Sequence, residues 1–432
     1  MTLGPKTAPA PAQYAPLPAF AATFLVAATG FLLSFPAIFS TLAIVVMYAI
    51  WLPKVVRRGR FAFSPGNSYR AAFVLPVLAL LSTGWSDDRL SSLRAGLEFV
   101  SMVVCVVICS KATRPADFIR GTWLAGVAAA VIGAVASDMF GIFRIVGSKN
   151  QLGFVACVAV IFALLVTLSK RDRGIVRLFA FLSVGPGLAV LYVSQSAGAM
   201  VALAAALGAM GFIFFARGLP RSARLQAAAI FLVLGTGVVG TIGMLAGGEE
   251  ALLRLTGKDT TLTGRTTLWE SAVEAGLEAP ILGHGYNAFW VPGRPMAERF
   301  WYEFDISART GFHFHDAYLE AFVELGAVGA FCLTVILLAG VVKSIGIALM
   351  NEDAQFGQLC IAIFVFSTIR GIVEVDCLGP FGLATFVLFS AIFRAANVRR
   401  LQGSPDAEPA PRRRRRNWRD RQSGISGEES LV

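Results

Sequence analysis

A chain of 432 residues that is 56% hydrophobic and only 15% charged, with a mean hydropathy of +0.67, is too apolar for a soluble domain, where about a quarter of residues are charged. The net charge of +11 reads as topology and not as a nucleic-acid surface, because most of the 38 Lys and Arg lie in alternate connections between apolar runs. The six cysteines lie in or beside apolar spans, and no pair has metal-ligand spacing, which argues against a disulfide or zinc framework.

The opening MTLGPKTAPAPAQYAPLPAF is Pro- and Ala-rich and predicts a short tail (1–16) without a cleavable signal. Runs long enough to cross a bilayer as helices, about 17–25 residues, then follow at 17–34, 37–53, 71–85, 90–110, 118–136, 151–168, 175–193, 198–216 and 226–246. A polar interval, 247–316, interrupts them. Three further spans, 317–342, 356–373 and 379–396, complete an expected twelve before a basic tail at 397–432. The fold class expected is therefore an all-α polytopic membrane protein with about twelve transmembrane helices and one large loop between the ninth and tenth.

Lys54, Arg57, Arg58 and Arg60, then Lys111 and Arg114, then Lys170, Arg171 and Arg173, then Arg217, Arg221 and Arg224 mark one side of the membrane. Cytoplasmic loops carry the excess of Lys and Arg. Both termini are thus expected in the cytoplasm and the long loop on the outer face of a bacterial inner membrane, in the periplasm. The Arg412–Arg416 run reads as a disordered extension resting on anionic lipid. GTGVVG (235–240) lies inside a span with no strand before it and reads as helix packing, not a nucleotide loop. The spans are almost free of ionisable residues, Glu98 excepted, which argues against an ion-coupled transporter.

All three histidines, His284, His313 and His315, fall in the polar interval, and histidine is the side chain suited to proton transfer near neutrality. TGRTTLWESAVEAGLEAP (263–280) predicts a helix with Thr267 and Glu270 at capping-box spacing and an apolar stripe of Trp269, Ala272, Val273, Gly276 and Leu277. Glu270, Glu274 and Glu278 line its other face, and Pro280 ends it; an amphipathic helix lying on the membrane is the alternative reading. ILGHGYNAFW (281–290) is a Gly-flanked turn carrying His284. Asp316 is placed to cap the next helix, with Glu320 and Glu324 following on the same face, and Gly326 and Gly329 allow close packing against a neighbour. His313 and His315 are two apart, not at the i, i+4 spacing of a helical zinc pair, so no metal site is expected.

HDAYLEAFVELGAVG (315–329), with TGRTTLW (263–269), ILGHGYNAFW (281–290), GSKNQLG (147–153) and SQSAGA (194–199), resembles the O-antigen ligase and Wzy-type polysaccharide polymerase superfamily. The loop motifs are similar to those of rhizobial-type exopolysaccharide polymerases, with Asp316 standing where Asn is usual. The resemblance implies a metal-independent glycosyltransferase without cofactors that polymerises polyprenyl-diphosphate-linked oligosaccharide repeats on the periplasmic face. A ligase moving the lipid-linked glycan to lipid A-core is the alternative, and a lipid-linked-glycan flippase or transporter is a reading of a different class. Membrane lipid, a flippase and a chain-length regulator are the other partners it suggests, with no nucleic acid. For that chemistry His315 is the first candidate base and His284 the second, while Arg265 is the candidate diphosphate clamp. Arg144, Lys149, Asn150, Arg370, Asp316 and Glu320 are candidate substrate contacts, with Arg294, Arg299 and Arg309 as weaker cationic ones. Tyr286, Trp290, Trp301 and Tyr302 are candidate sugar-stacking aromatics, and His313 reads as a bystander.

Overall fold

A run of apolar residues in lipid has no water for its N–H and C=O groups and closes them into a helix. The computed structural model describes residues 16–56, 70–140, 147–224, 226–230, 263–307, 309, 312–350 and 353–398, and it is helical at each span read from the sequence within that range. The helices are α1 (Ala19–Leu33), α2 (Pro36–Trp51), α3 (Arg70–Leu81), α4 (Arg89–Ala112), α5 (Pro115–Phe140), α6 (Lys149–Thr167), α7 (Gly174–Ser194) and α8 (Ala197–Ala216). After the polar interval come α11 (Ala317–Met350), α12 (Ala354–Arg370) and α13 (Leu383–Ala396). Inside the interval are two more, α9 (Thr263–Glu278) and α10 (Pro295–Glu303). The expected span 226–246 and the candidate contact Arg144 lie largely or wholly outside the described residues. Six helices (α4, α5, α6, α7, α8 and α11) are long and apolar enough to cross a membrane, and several others are shorter apolar helices. The protein is a multi-pass helical membrane protein. By contacts the chain divides into units 1–396 and 397–432, and only residues 397 and 398 of the second are described.

Helix α6 is the axis of the bundle: from Leu152 to Val166 every residue except Leu164 is buried, against α5, α7 and α8. Outward faces stay greasy, with Phe179, Phe181, Phe214, Phe215 and Phe331 each more than half exposed, as a lipid-facing surface requires. One end of the bundle is stitched by basic residues. Arg120 pairs with Asp117 at 3.1 Å and also with Asp172, Arg171 pairs with Asp353 at 2.9 Å, and the buried Arg394 donates to Thr113 Oγ1 at 2.7 Å. The opposite end gathers the starts of α4, α6 and α11, the ends of α7 and α12, and the described part of the polar interval.

That interval folds on its own small core. Leu268, Ala272 and Ala275 of α9 meet Phe289, Phe300, Phe314 and Val323, with Trp290, Met296, Phe312 and Leu319 around them. A fully buried Phe contributes about 1.5–3 kcal/mol, so Phe289, Phe300 and Phe314 together anchor the segment to α11. Two details of the sequence reading change here. Helix α9 begins at Thr263, so Thr267 lies within it and is not its cap. Its buried face is Leu268, Ala272, Ala275 and Gly276, whereas Val273 and Leu277 are exposed, because the partner is α11 on one side only. Helix α10 was not expected; Pro295 opens it at a position where the missing N–H costs nothing.

Helix α11 is broken at Gly326, whose φ of 67° and ψ of −168° belong to no helix. The ILGHG turn fills the break. His284 N donates to Val323 O at 3.0 Å, Gly285 N to Glu324 O at 2.8 Å, and Ala327 N to Pro280 O at 2.8 Å. A Cβ on Gly326 would stand 2.2 Å from Ile281 O, and one on Gly283, itself at φ 70°, would stand 2.5 Å from Glu324 O. Two sequence motifs more than thirty residues apart are therefore one backbone joint, and glycine is required on both sides of it.

Candidate functional site

Asp316 caps α11 as its position predicts, accepting from Tyr318 N at 2.8 Å and Leu319 N at 2.9 Å. Burial raises its carboxyl to about 6 although those two donors oppose the shift. Beside the cap, Ala317 N donates to Gly371 O at 2.7 Å, which docks the end of α12 on the start of α11. His315 precedes the cap with a φ of 55°, a left-handed conformation uncommon for a side-chain-bearing residue. Its N–H donates to His313 Nδ1 at 3.1 Å, and the two imidazoles lie edge to face with centroids 4.2 Å apart.

The docked α12 end brings Glu374 into the same place. Its Oε1 lies 3.3 Å from His315 Nδ1 and 3.6 Å from Arg265 Nη2, and it accepts from Asn150 Nδ2. Its Oε2 is 4.0 Å from His313 Nε2. Asn150 is held in turn: its Oδ1 accepts from Ser196 Oγ at 3.0 Å and its carbonyl from Arg370 Nη2 at 2.9 Å. Arg370 also pairs with Asp376. The N-terminal turn of α6, the start of α8, the start of α9, the start of α11 and the end of α12 thus converge on one carboxylate.

Exposure separates the working face from its support. Glu374 is 7% exposed and Arg370 3%, while Arg265, His315 and His313 are 26%, 27% and 31% exposed. Burial opposes ionisation of Glu374, but the His315 hydrogen bond, with the charges of His315, Arg370 and His313, overrides it and holds the carboxyl down at about 2. Glu374 is held as a carboxylate near neutral pH. Crowding by protein, then the neighbouring His315 and the arginines, lowers His313 to about 4 against the pull of Glu374. His313 is therefore a neutral ring that accepts the His315 N–H. Among the described residues no group bonds His315 Nε2. The site offers one imidazole nitrogen with a free face, one guanidinium beside it, and a fixed negative charge behind both.

His313, His315 and Glu374 bring one donor atom each within 4.8 Å of one another, a set able to hold a divalent cation. Arg265 on the same carboxylate oxygen and Arg370 behind it bring positive charge that opposes one.

The remaining candidates fall elsewhere. His284 is 7% exposed, with Nδ1 2.7 Å from Asp87 Oδ2 and 3.0 Å from Arg294 Nη2, and Nε2 2.9 Å from Ala275 O. A carbonyl only accepts, so Nε2 carries a proton, and Nδ1 is occupied; neither nitrogen is open to a substrate. Arg294 belongs to the same cluster, 2.9 Å from Asp87 and stacked 4.4 Å over Phe289. Among the described residues, none that bonds His284 also bonds His315. Tyr286 is 3% exposed, packed on Phe99 at 5.7 Å, and its hydroxyl donates to Leu378 O. Trp290 donates to Glu320 Oε1 at 2.9 Å, and Glu320 also accepts from Phe314 N at 2.7 Å. Glu320 and Glu324, expected as a rim stripe, are 4% and 5% exposed and turn inward. Lys149 is exposed at the start of α6, beside Asn150. Arg299 pairs with Glu303 and Ser271, and Arg309 with Glu298, away from Glu374. Trp301 is buried, and Tyr302 is 89% exposed. Glu374 was not singled out from sequence. Its one signal there is the R-G-I-V-E-V-D stretch, two carboxylates just past an arginine at the end of an apolar span.

Comparison with known proteins adds two findings. A family model described as O-antigen ligase matches residues 182–334. The exopolysaccharide production protein ExoQ of Rhizobium meliloti (strain 1021) is 32% identical over 403 residues, covering 90% of this chain and 91% of the relative.

Proposed function

The chain belongs to the O-antigen ligase and Wzy-type polysaccharide polymerase superfamily, and from that premise we propose that it is a membrane glycosyltransferase that polymerises polyprenyl-diphosphate-linked oligosaccharide repeats into exopolysaccharide. The observation that carries the reading is the set of His315, Arg265 and Glu374, an imidazole nitrogen that no described residue bonds, next to a partly open guanidinium at the end of the bundle away from the basic stitching. An acceptor hydroxyl oxygen attacks the anomeric carbon of the donor sugar, and the bond from that carbon to the diphosphate oxygen breaks. The diphosphate leaves with the electron pair, and the hydroxyl proton passes to His315 Nε2. A diphosphate is already a good leaving group, so the protein's share of the work is to orient the hydroxyl, take its proton and hold the developing charge. Arg265 supplies that charge in bidentate form. Lys149 stands by as a second phosphate contact. Arg370 acts from inside the wall, through its field and through Asn150.

The excess of Lys and Arg at the opposite end supports placing this site on the outer face of the inner membrane, with both termini in the cytoplasm. The O-antigen ligase description of the segment 182–334 favours, as a second reading, transfer of the same lipid-linked glycan to lipid A-core. Deleting the gene separates the two. The polymerase reading expects loss of high-molecular-weight exopolysaccharide with lipopolysaccharide still capped; loss of capping with normal exopolysaccharide contradicts it.

A further inference from the structure

Glu374 neither takes the proton nor holds the diphosphate in the chemistry above, yet it is where the described part of the site meets. Asn150, His315, Arg265 and His313 all approach its two oxygens, and it lies almost wholly inside the protein. Its partner atom on His315 is Nδ1, and among the described residues no group bonds the opposite ring nitrogen. In a neutral imidazole one nitrogen donates and the other accepts, and the partner of the first decides which is which. Glu374 is an acceptor only, so Nδ1 carries the hydrogen and Nε2 the lone pair.

We infer that Glu374 is the positioning residue of the transfer site: it fixes His315 in the Nδ1–H tautomer with Nε2 facing the acceptor hydroxyl, and it stabilises the imidazolium formed when that proton arrives. The assignment rests on the reading of His315 as the proton acceptor. Three independent restraints point the same way. The backbone bond from Ala317 N to Gly371 O sets the Glu374 segment beside His315 without help from either side chain. Asn150, itself tied to Ser196 and Arg370, orients the carboxylate from behind. The left-handed backbone of His315, with its N–H on His313, holds the imidazole toward Glu374 instead of toward solvent. Strain of this kind persists only where surroundings over-determine it. Arg265 on the same Oε1 gives the carboxylate a second task, setting the guanidinium next to the base.

The test uses the full-length protein in lipid nanodiscs with polyprenyl-diphosphate-linked repeats, comparing wild type, E374Q, E374D and H315A, with side-chain 15N spectra of the three histidines. Glu374→Gln keeps the shape and removes the charge, and its elongation rate is expected to fall by roughly 10²–10⁴-fold, the range of a lost base or a misset tautomer. Glu374→Asp should recover at least part of that loss, with folded yield matching wild type. In the wild-type spectrum, assigned by subtraction with H315A, neutral His315 should be protonated at Nδ1, a readout that needs no variant at Glu374 to fold. A wild-type Nε2–H tautomer overturns the inference, as does an E374Q enzyme within a fewfold of wild type while H315A is inactive. Normal elongation by H315A instead overturns the assignment of His315, and the role of Glu374 with it. Loss of activity on chelation, restored by a divalent cation, would make Glu374 a metal ligand and also overturn it.

Discussion

Replacing Gly326 with Ala should separate the polar segment from the bundle. At φ 67° and ψ −168° the residue occupies a region nearly reserved for glycine, where another residue costs about 1–3 kcal/mol. The new Cβ would lie 2.2 Å from Ile281 O, and that neighbour is backbone, with no side chain to swing away. Relief requires moving the 281–283 turn, which breaks the bonds from His284 N, Gly285 N and Ala327 N, each worth about 1 kcal/mol net. The total, about 4–6 kcal/mol, is comparable with a whole domain's stability of about 5–15 kcal/mol. Gly346, on the same helix, is the control, because a Cβ there meets nothing within 4 Å. Gly346→Ala should be neutral or raise the thermal midpoint slightly. Thermal denaturation in detergent, with hydrogen exchange of 280–328, reads the difference. Gly326→Ala should lower the midpoint by several degrees, deprotect the turn and abolish transfer. A G326A protein with wild-type midpoint and exchange would refute the joint as a structural necessity.

Three further outcomes are expected. His284→Ala should cost about 1–3 kcal/mol of stability by stranding the buried Ala275 O, since Asp87 keeps Arg294 and solvent, while the folded fraction keeps its specific activity; a stable but inactive H284A would return His284 to the chemistry. Arg265→Lys should lose about tenfold or more in elongation rate, since an ammonium cannot make the bidentate phosphate contact, and steady-state rates with lipid-linked repeats give the comparison; wild-type rates from R265K contradict the clamp. Acidification bears on His313, whose folded value of about 4 lies below its ordinary 6.5. A lowered histidine leaves stability intact above 6.5 and removes it as pH falls toward 4. Glu374, lowered to about 2 from 4.5, keeps its contribution until pH drops below 4.5. Asp316, raised to about 6 from 3.8, gains stability over the same window, so the difference between proteins is the readout: the thermal midpoint of wild type relative to His313→Gln should fall as pH drops from 6.5 to 4; an equal slope in H313Q would show that His313 contributes nothing to it.

The helices were legible because a bilayer leaves a chain few options: apolar runs such as 151–168 and 198–216 appear as α6 and α8 within two residues at either end. The cap at Asp316 was legible for the same local reason, a short acceptor just ahead of an apolar run. The face of α9 was not, since Val273 and Leu277 look as apolar as Ala272 and only the location of α11 decides which turn inward. The motif also misleads at Tyr286, which reads as a candidate sugar-stacking aromatic and is packed on Phe99. Asn150, Arg265, His315 and Arg370 could each be named from local motifs, but the first three meet on Glu374 through contacts that span from 59 residues for His315 to 224 for Asn150, and Arg370 joins them through the Asn150 carbonyl. No local pattern marks a carboxylate whose importance comes entirely from what surrounds it.

The central claim, glycosyl transfer from a diphosphate-linked donor with His315 as base, is tested most directly by reconstitution. Purified wild-type protein in proteoliposomes, supplied with polyprenyl-diphosphate-linked repeats and neither nucleotide sugar nor ATP, should release polyprenyl diphosphate in step with chain growth. Equally abundant His315→Ala protein should do neither. Chain growth by that variant, or no growth by the wild type under the same conditions, would contradict the account.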